Sequence, residues 1–381
     1  MTEKRKHIVL ASGGTGGHIF PARALAEELI SRNMDVTLMT DQRGEKYEQL
    51  FPGVKIVPVT SASPSVGGVL GKLVAGFKLL LGTLQSIFIL RKLKPDVVVG
   101  FGGYPSMPPA AAASFLGVPL ILHEQNAVLG RVNRLLSGMA KKIATSFHHT
   151  ESGAREIASK MSFTGNPVRQ EIIALHGRGY AEPTVKDPIK LLILGGSQGA
   201  TVLSDVVPAA IADLPDSLQS RLHVIQQCRP EDLARVEAAY QKTSVTTTLA
   251  AFFDNVPELL NDCHLAITRS GASTIAELTV SGRPAILVPY KFAMDNHQLK
   301  NAENEVAKGA ARLILQDEFS VTSLKGHLED LFSHPDKLTC MARASAQLGE
   351  INAAQKLADM VAKLNKSTKS GTSRSNGKVA A

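Results

Sequence analysis

Ile8-Val9-Leu10-Ala11-Ser12-Gly13-Gly14-Thr15-Gly16-Gly17-His18 passes from a short apolar strand into a glycine-rich turn, and Ala22 to Ile30 carry on with helical apolar spacing. The same unit returns in the second half, where Leu191-Leu192-Ile193-Leu194 leads into Gly195-Gly196-Ser197-Gln198-Gly199-Ala200 and a helical stretch from Ala200 to Ile211. Glycine at such a turn lets the backbone approach an anion, and the helix start behind it adds roughly half a positive charge. Each half can therefore hold a phosphate or an acidic sugar derivative, with chemistry in the cleft between them. A purely steric role for the glycines is the alternative.

Outward from these turns the chain alternates strand and helix signals. Val36–Thr40, Val54–Val59, Val97–Gly100 and Leu120–His123 read as further strands of the first half, and His223–Gln226, Leu265–Thr268, Ala285–Val288 and Arg312–Ile314 as strands of the second. This predicts an α/β protein of two Rossmann-like, doubly wound parallel sheets with sites at the strand carboxyl ends. Periodicity breaks from Thr164 to Pro188, which places the domain connection there. One more helical stretch is expected from Leu338 to Leu364. Asn365 to Ala381 is Ser, Thr, Lys and Gly with almost no apolar content, and is expected to be disordered.

At 381 residues and 40.6 kDa the chain has room for about two or three domains. Three scattered cysteines, Cys228, Cys263 and Cys340, make neither a disulfide framework nor a zinc site and suit a reducing compartment. The basic start Met1–His7 is followed by only Ile8–Ala11 as an apolar run, too short for a signal peptide, so a cytosolic protein is expected. Net charge is +8, and much of the excess lies between Glu48 and Asp96, where Lys55, Lys72, Lys78, Arg91, Lys92 and Lys94 meet no acid. That stretch also carries Leu70, Leu73, Val74, Phe77, Leu81, Leu84 and Phe88 at helical spacing. Its longest uncharged run, Leu79–Leu90, is short of the roughly 20 residues needed to span a bilayer. A basic, apolar helix of this kind can lie on an anionic membrane surface, or cover the sheet as an ordinary core helix.

Several motifs carry chemistry. Thr15, Gly16 and Gly17 offer amides and a hydroxyl to an oxyanion, and His18, just inside the helix, has an imidazole suited to general-base work near neutral pH or to phosphate binding. Dinucleotide binding fits poorly, because Ile19 stands where the third fingerprint glycine belongs, although Asp41 could mimic the ribose-binding acid. Gly102-Gly103-Tyr104 ends one strand. His123-Glu124-Gln125-Asn126 ends the next with four polar side chains, which need a polar ligand or one another. In the second half Arg269-Ser270-Gly271-Ala272-Ser273-Thr274 opens a helix with Glu277 one turn in, an arrangement suited to a nucleotide diphosphate and ribose, or to a capping box. Asp295-Asn296-His297-Gln298 adds donors at another strand end. Arg169, at the domain connection, can reach a phosphate between the halves. No Asp-x-Asp pair occurs, so no metal cofactor is expected and leaving-group charge would rest on helix ends and Arg169.

Together, Gly-Gly-Thr-Gly-Gly-His at 13–18, Gly-Gly-Tyr at 102–104, His-Glu-Gln-Asn at 123–126, Gly-Asn-Pro-Val-Arg at 165–169, Gly-Gly-Ser-Gln-Gly-Ala at 195–200, and Arg-Ser-Gly-Ala with Glu277 resemble the MurG family of N-acetylglucosaminyltransferases, in order, from residue 7 to about 360. The resemblance implies a GT-B fold and inverting transfer of GlcNAc from UDP-GlcNAc to the MurNAc 4-hydroxyl of undecaprenyl-linked lipid I, giving lipid II of peptidoglycan. It assigns Thr15, Gly16, Gly17, Asn126, Arg169, Ser197, Ala272, Thr274, Glu277 and Gln298 to the donor, with Phe253 contacting uracil through its backbone. His18, Tyr104 and Glu124 fall on the acceptor and catalytic side, His18 being the expected base. It implies a peripheral position on the cytoplasmic side of the cell membrane through the segment around Leu70–Lys94, other cell-wall synthesis proteins as candidate partners, and no nucleic acid. The expected domains are 1–165 for acceptor and membrane, 166–345 for the UDP-sugar, and a tail, 365–381, with a C-terminal helix of about 346–364 that can pack back on the first domain. Gln226-Gln227-Cys228-Arg229, His297 and Ser61-Ala62-Ser63-Pro64 depart from the family pattern at substrate-side positions. A UDP-GlcNAc 2-epimerase on the same scaffold, or a non-catalytic nucleotide-sugar sensor at a membrane, are the rival readings.

Overall fold

The computed structural model describes residues 5–13, 15–42, 48–63, 68–196 and 199–364, with nothing said of the side chains of Val69 and Leu70. The expected site residue Ser197 and the expected disordered tail lie outside the described residues. In the first domain β1 (His7–Ala11), β2 (Asp35–Thr40), β3 (Lys55–Pro58), β4 (Val97–Gly100), β5 (Leu120–Glu124), β6 (Lys142–Thr145) and β7 (Met161–Phe163) form one sheet in the order β3-β2-β1-β4-β5-β6-β7. In the second, β8 (Ile189–Leu194), β9 (Leu222–Gln227), β10 (Thr246–Ala250), β11 (Leu265–Thr268), β12 (Ala285–Leu287) and β13 (Ala311–Leu313) take the order β10-β9-β8-β11-β12-β13. All pairings within both sheets are parallel.

In each sheet the winding direction reverses beside the strand that precedes a glycine loop, between β1 and β4 and between β8 and β11. A crevice opens at the carboxyl ends of such a pair because the two connections leave in opposite directions. Ala11 pairs with Gly100 in one and Leu194 with Thr268 in the other, so the glycine loops share their crevices with the segments starting at Phe101 and Arg269.

The helices that shape these crevices are α1 (Gly16–Ser31), α2 (Gly68–Leu93), α3 (Met107–Phe115), α4 (Arg131–Leu136), α5 (Thr201–Ala212), α6 (Ala272–Ser281), α7 (His297–Ala307), α8 (Val321–Ser333), α9 (Pro335–Leu348) and α10 (Ala353–Lys363). Alternate residues of the central strands feed two cores. Ile8, Leu10, Val97 and Val99 meet Leu25 and Leu29 of α1, while Val9, Val98, Leu120 and Leu122 meet Leu90 of α2 and Ala110, Ala112 and Ala113 of α3.

The strands β6, β7 and β10 are absent from the sequence reading. Lys142-Ile143-Ala144-Thr145 and Met161-Ser162-Phe163 are very short, and Thr246-Thr247-Thr248-Leu249-Ala250 lies at a sheet edge with three exposed threonines and no apolar run. The expected continuous helix Leu338–Leu364 is two helices. Gly349 breaks it: a Cβ there would stand 2.7 Å from the Thr279 carbonyl oxygen and 2.9 Å from Val280 Cα, so the chain touches α6 backbone to backbone. The stretch expected to form a helix from 346 therefore begins as the end of α9, and α10 starts at Ala353. Leu357, Ala358 and Val361 of α10 are wholly buried in the core of the first domain, beneath α1.

α2 corrects another expectation. The run Leu79–Leu90 suggested a segment too short to span, but the helix is 26 residues long, and Gly71–Leu93 is long and apolar enough to cross a membrane by length and composition. One side of it is locked into the domain. Ala75, Ser86 and Leu90 are buried, Gln85 accepts from the Thr60 amide at 3.0 Å, and a Cβ on Gly82 would stand 1.9 Å from the Thr60 carbonyl oxygen. The other side shows Leu73, Phe77 and Phe88 at 67%, 61% and 70% exposure, with Val74, Leu80, Leu81 and Leu84 also exposed.

Candidate active site

At the first crevice α1 begins at Gly16, with Thr15 exposed at its cap position and making no side-chain cap bond. The amides of Gly16 and Gly17 thus lie among the free N–H groups of a helix start. His18, half-buried, turns its ring back into the domain. Gly102 and Gly103 take φ of +81° and +73°, and a Cβ on either would press the His18 ring at 3.4 and 3.3 Å. Glycine is required there both by the backbone and by the imidazole. His18 Nδ1 lies 3.2 Å from Gln125 Oε1. Burial draws His18 below the ordinary imidazole pKa, the bond to Gln125 and the Phe101 carbonyl oppose this, and the charge of His297 from the second domain lowers it further. Tyr104 is half-buried, in a short 3₁₀ turn, against the core face shared with α2 and α3.

The four polar residues at the end of β5 largely satisfy one another. Gln125 Nε2 donates to the Phe101 carbonyl at 2.9 Å and lies 3.0 Å from His123 Nδ1, and His123 Nε2 lies 3.3 Å from the Gly165 carbonyl. Glu124 accepts at one oxygen from the Asn126 amide (3.0 Å) and Asn126 Nδ2 (3.3 Å), and at the other from the Gly130 amide and Asn133 Nδ2, both 2.8 Å. Burial raises its pKa, and these four bonds oppose the rise. Glu124 therefore shapes the loop that carries Asn126, while Asn126 alone of the four faces the second domain.

In the second crevice α6 begins at Ala272 behind Gly271, with no side-chain cap. Ala272 is buried and Thr274 half-buried. Glu277 is not the capping-box residue that was one alternative: one of its oxygens accepts from Arg169 Nε at 3.2 Å and Nη2 at 2.9 Å. Burial raises its pKa against the pull of Arg169. The guanidinium also lies 5.1 Å from the centre of the Phe20 ring on α1, so Arg169 touches both domains. Gln298 Oε1, at the start of α7, accepts from the Tyr290 amide at 2.8 Å. Arg269 supports the same loop, donating to the carbonyls of Val288 and Pro289. Phe253 is half-buried against the second core, beside the exposed Phe252.

Two residues at the site escaped sequence reasoning. Asn301, fully buried on α7, accepts from the Ala127 amide at 2.8 Å and donates to Asn126 Oδ1 and the Ser270 carbonyl, each at 3.1 Å, joining both crevices through one amide. Its signal was a polar residue one turn after Gln298 on an otherwise amphipathic helix. Arg229, in the departing Gln-Gln-Cys-Arg turn, packs on Gly199 and donates to Thr201 Oγ1 at 2.9 Å, putting a cation at the start of α5. Among the described residues no group of three or more His, Cys, Asp or Glu stands together to hold a metal ion.

Two Rossmann-like domains whose switch-point crevices face each other, with a free helix start in each and a buried-side histidine in one, define a glycosyltransferase of the GT-B class. Residues 8–145 match the glycosyltransferase family 28 N-terminal domain and residues 190–361 the glycosyltransferase family 28 C-terminal domain. The UDP-N-acetylglucosamine–N-acetylmuramyl-(pentapeptide) pyrophosphoryl-undecaprenol N-acetylglucosamine transferase of Paramagnetospirillum magneticum is 47% identical over 361 residues, covering 95% of this chain and 97% of its own. The enzyme of the same name from Rhodospirillum centenum is 46% identical, covering 93% of each. The crystal structure of Acinetobacter baumannii MurG superposes with a TM-score of 0.75 at 29% identity, covering 94% of this chain and 99% of that one. The chain belongs to glycosyltransferase family 28 and, within it, to the MurG family.

Proposed function

We propose that this chain moves GlcNAc from UDP-GlcNAc to the 4-hydroxyl of MurNAc in undecaprenyl-diphosphate-linked MurNAc-pentapeptide, converting lipid I to lipid II with inversion at the anomeric carbon. The observation that carries this is the closed junction between the crevices: His18 on one side, the α6 start on the other, and Arg169–Glu277 with Asn301 between. Inversion needs one displacement. The acceptor hydroxyl gives its proton to His18 Nε2, its oxygen attacks C1 of GlcNAc, and the bond from C1 to the diphosphate oxygen breaks with its electrons on UDP. The departing charge is met by fixed dipoles and a cation: the amides at Gly16 and Gly17, the α6 start at Ala272 and Thr274, and Arg169.

In this reading the 195–200 loop, including Ser197, and Ala272–Glu277 hold the nucleotide, with Glu277 accepting from the ribose hydroxyls and Gln298 and the Phe253 backbone completing the pocket. Asn126 and Thr15 contact the transferred sugar and diphosphate. Tyr104 lies on the acceptor side, and Glu124 acts by holding Asn126. No metal enters the reaction. The exposed stripe of α2, flanked by Lys72, Lys78, Arg91, Lys92 and Lys94, seats the protein peripherally on the anionic cytoplasmic face of the membrane, where the lipid acceptor is found. An epimerase would act on UDP-GlcNAc with no acceptor and has no use for such a helix. The deciding experiment is UDP release from UDP-GlcNAc with and without a lipid I analogue. Release that depends on the acceptor supports transfer, whereas conversion of UDP-GlcNAc without acceptor or UDP release contradicts it.

A further inference from the structure

We infer that Gln125 and His123 are positioning residues that set the tautomer of His18, through a chain of hydrogen bonds running from the imidazole to the backbone of Gly165 at the domain connection. Two carbonyls decide the direction of every bond in that chain. The Phe101 carbonyl can only accept, so the Gln125 atom 2.9 Å away is its NH₂ group. The Gln125 atom facing His18 Nδ1 at 3.2 Å is then the carbonyl oxygen, and Nδ1 must carry the proton. The same NH₂ group lies 3.0 Å from His123 Nδ1, which must therefore accept. That leaves the His123 proton on Nε2, where it meets the second carbonyl, Gly165 at 3.3 Å. All of the groups agree with one assignment and none with its reverse. Burial depresses His123 to about 4, so it stays neutral and its Nδ1 stays an acceptor under working conditions.

The consequence for His18 is specific. Neutral histidine in water favours the proton on Nε2, the form with its lone pair on Nδ1. Gln125 enforces the opposite tautomer and leaves the lone pair on Nε2, the nitrogen that the proposed reaction uses. The anchor is well built: the Gly165 carbonyl also accepts from Thr164 Oγ1 at 3.0 Å, and Glu350 and Ala353 pack against Gly165 itself. The catalytic meaning rests on the reading of His18 as the base, but the tautomer does not.

The two are separable by ¹⁵N NMR of the full chain labelled at histidine, measured above neutral pH beside steady-state kinetics. The wild-type protein is expected to show His18 protonated at Nδ1 and bare at Nε2, and His123 the reverse. In Gln125→Leu, His18 should move toward Nε2–H, and kcat should fall about tenfold or more while the KM for UDP-GlcNAc stays within about twofold. Gln125→Glu keeps an acceptor for Nδ1 and should retain the His18 tautomer, but its second oxygen replaces the NH₂ group that faces the Phe101 carbonyl and His123 Nδ1, so His123 should move its proton to Nδ1. His18 protonated at Nε2 in the wild type, or a His18 tautomer unmoved by Gln125→Leu, would overturn the inference. If the leucine variant does not fold, the wild-type and glutamate spectra still decide it. Nδ1–H on His18 together with full turnover in His18→Ala would uphold the positioning and remove the base reading.

Discussion

Arg169 and Glu277 hold each other at the junction of the two domains, with guanidinium Nη2 2.9 Å and Nε 3.2 Å from a single carboxylate oxygen. Both side chains are mostly buried, 14% and 16% exposed, so each is the other's compensating charge. Arg169→Ala is expected to cost about 3 kcal/mol near neutral pH, because it strands a buried carboxylate. Burial already raises the Glu277 pKa, and losing Arg169 raises it further. A carboxyl with a raised folded pKa contributes stability at low pH that is lost as pH rises through that value. The gap in Tm between wild type and variant should therefore widen from pH 5 to pH 8. A gap constant across that range contradicts the assignment.

His18→Ala is expected to lower kcat by roughly 10² to 10⁴, with little change in the KM for UDP-GlcNAc. Its folded pKa lies below the ordinary imidazole value of 6.5 because it is buried, so the neutral base persists into mild acid. The acid limb of kcat/KM should accordingly fall below pH 6.5. A limb above that value would assign the titration to another group.

Asn301→Ala removes two hydrogen bonds that cross to the first domain, at Ala127 and Asn126, and one to the Ser270 carbonyl within the second, and leaves the Ala127 amide without its acceptor. The cost is expected to be about 1–3 kcal/mol. It should appear as a lower Tm together with a higher KM for UDP-GlcNAc, since Asn126 and Ser270 lose their common support. Differential scanning calorimetry and donor titration read the two effects separately.

Replacing Leu73, Phe77 and Leu84 by serine should weaken binding to vesicles containing anionic lipid by about tenfold or more, while Tm stays within about 1 °C. Their side chains are exposed, so the fold loses little. Binding by the wild type should also fall as salt is raised, through Lys72, Lys78 and Arg91. Cosedimentation that is unchanged in the triple variant would remove the membrane role of α2.

Gly82→Ala tests the seating of the same helix. Its Cβ would stand 1.9 Å from the Thr60 carbonyl oxygen, a contact that only a backbone shift can relieve. A loss of about 2 kcal/mol or more is expected, against a gain of up to about 1 kcal/mol for glycine to alanine in an unobstructed helix. A stabilised variant would show that α2 is not held against Thr60.

The architecture was legible wherever a whole strand is buried on both faces. Ile8–Ala11, Val97–Gly100 and Leu191–Leu194 read as uninterrupted apolar runs because helices cover both sides of them. β10 could not be read in this way, since its exposed threonines resemble a loop. At the site, glycine turns and helix starts were visible because they depend on local backbone geometry. The pairing of Arg169 with Glu277 and the bridge through Asn301 were not, because they join residues 108 and 175 positions apart, the first arising when the second domain folds and the second only when the domains meet. The His-Glu-Gln-Asn run illustrates both sides: its need for polar partners was evident, yet which of its members turn inward depends on Phe101, Asn133 and Gly165, brought together by the sheet.

α10 bears on the order in which the protein is made. Its Leu357, Ala358 and Val361 complete the core beneath α1, so the first domain has an open hydrophobic face until these residues have left the ribosome. The second domain draws its last buried core residues from α9, Leu338 and Met341, and so can close before α10 emerges. Synthesis from the N-terminus thus closes the first domain only after the second, and a nascent chain halted before residue 353 presents that face to chaperones.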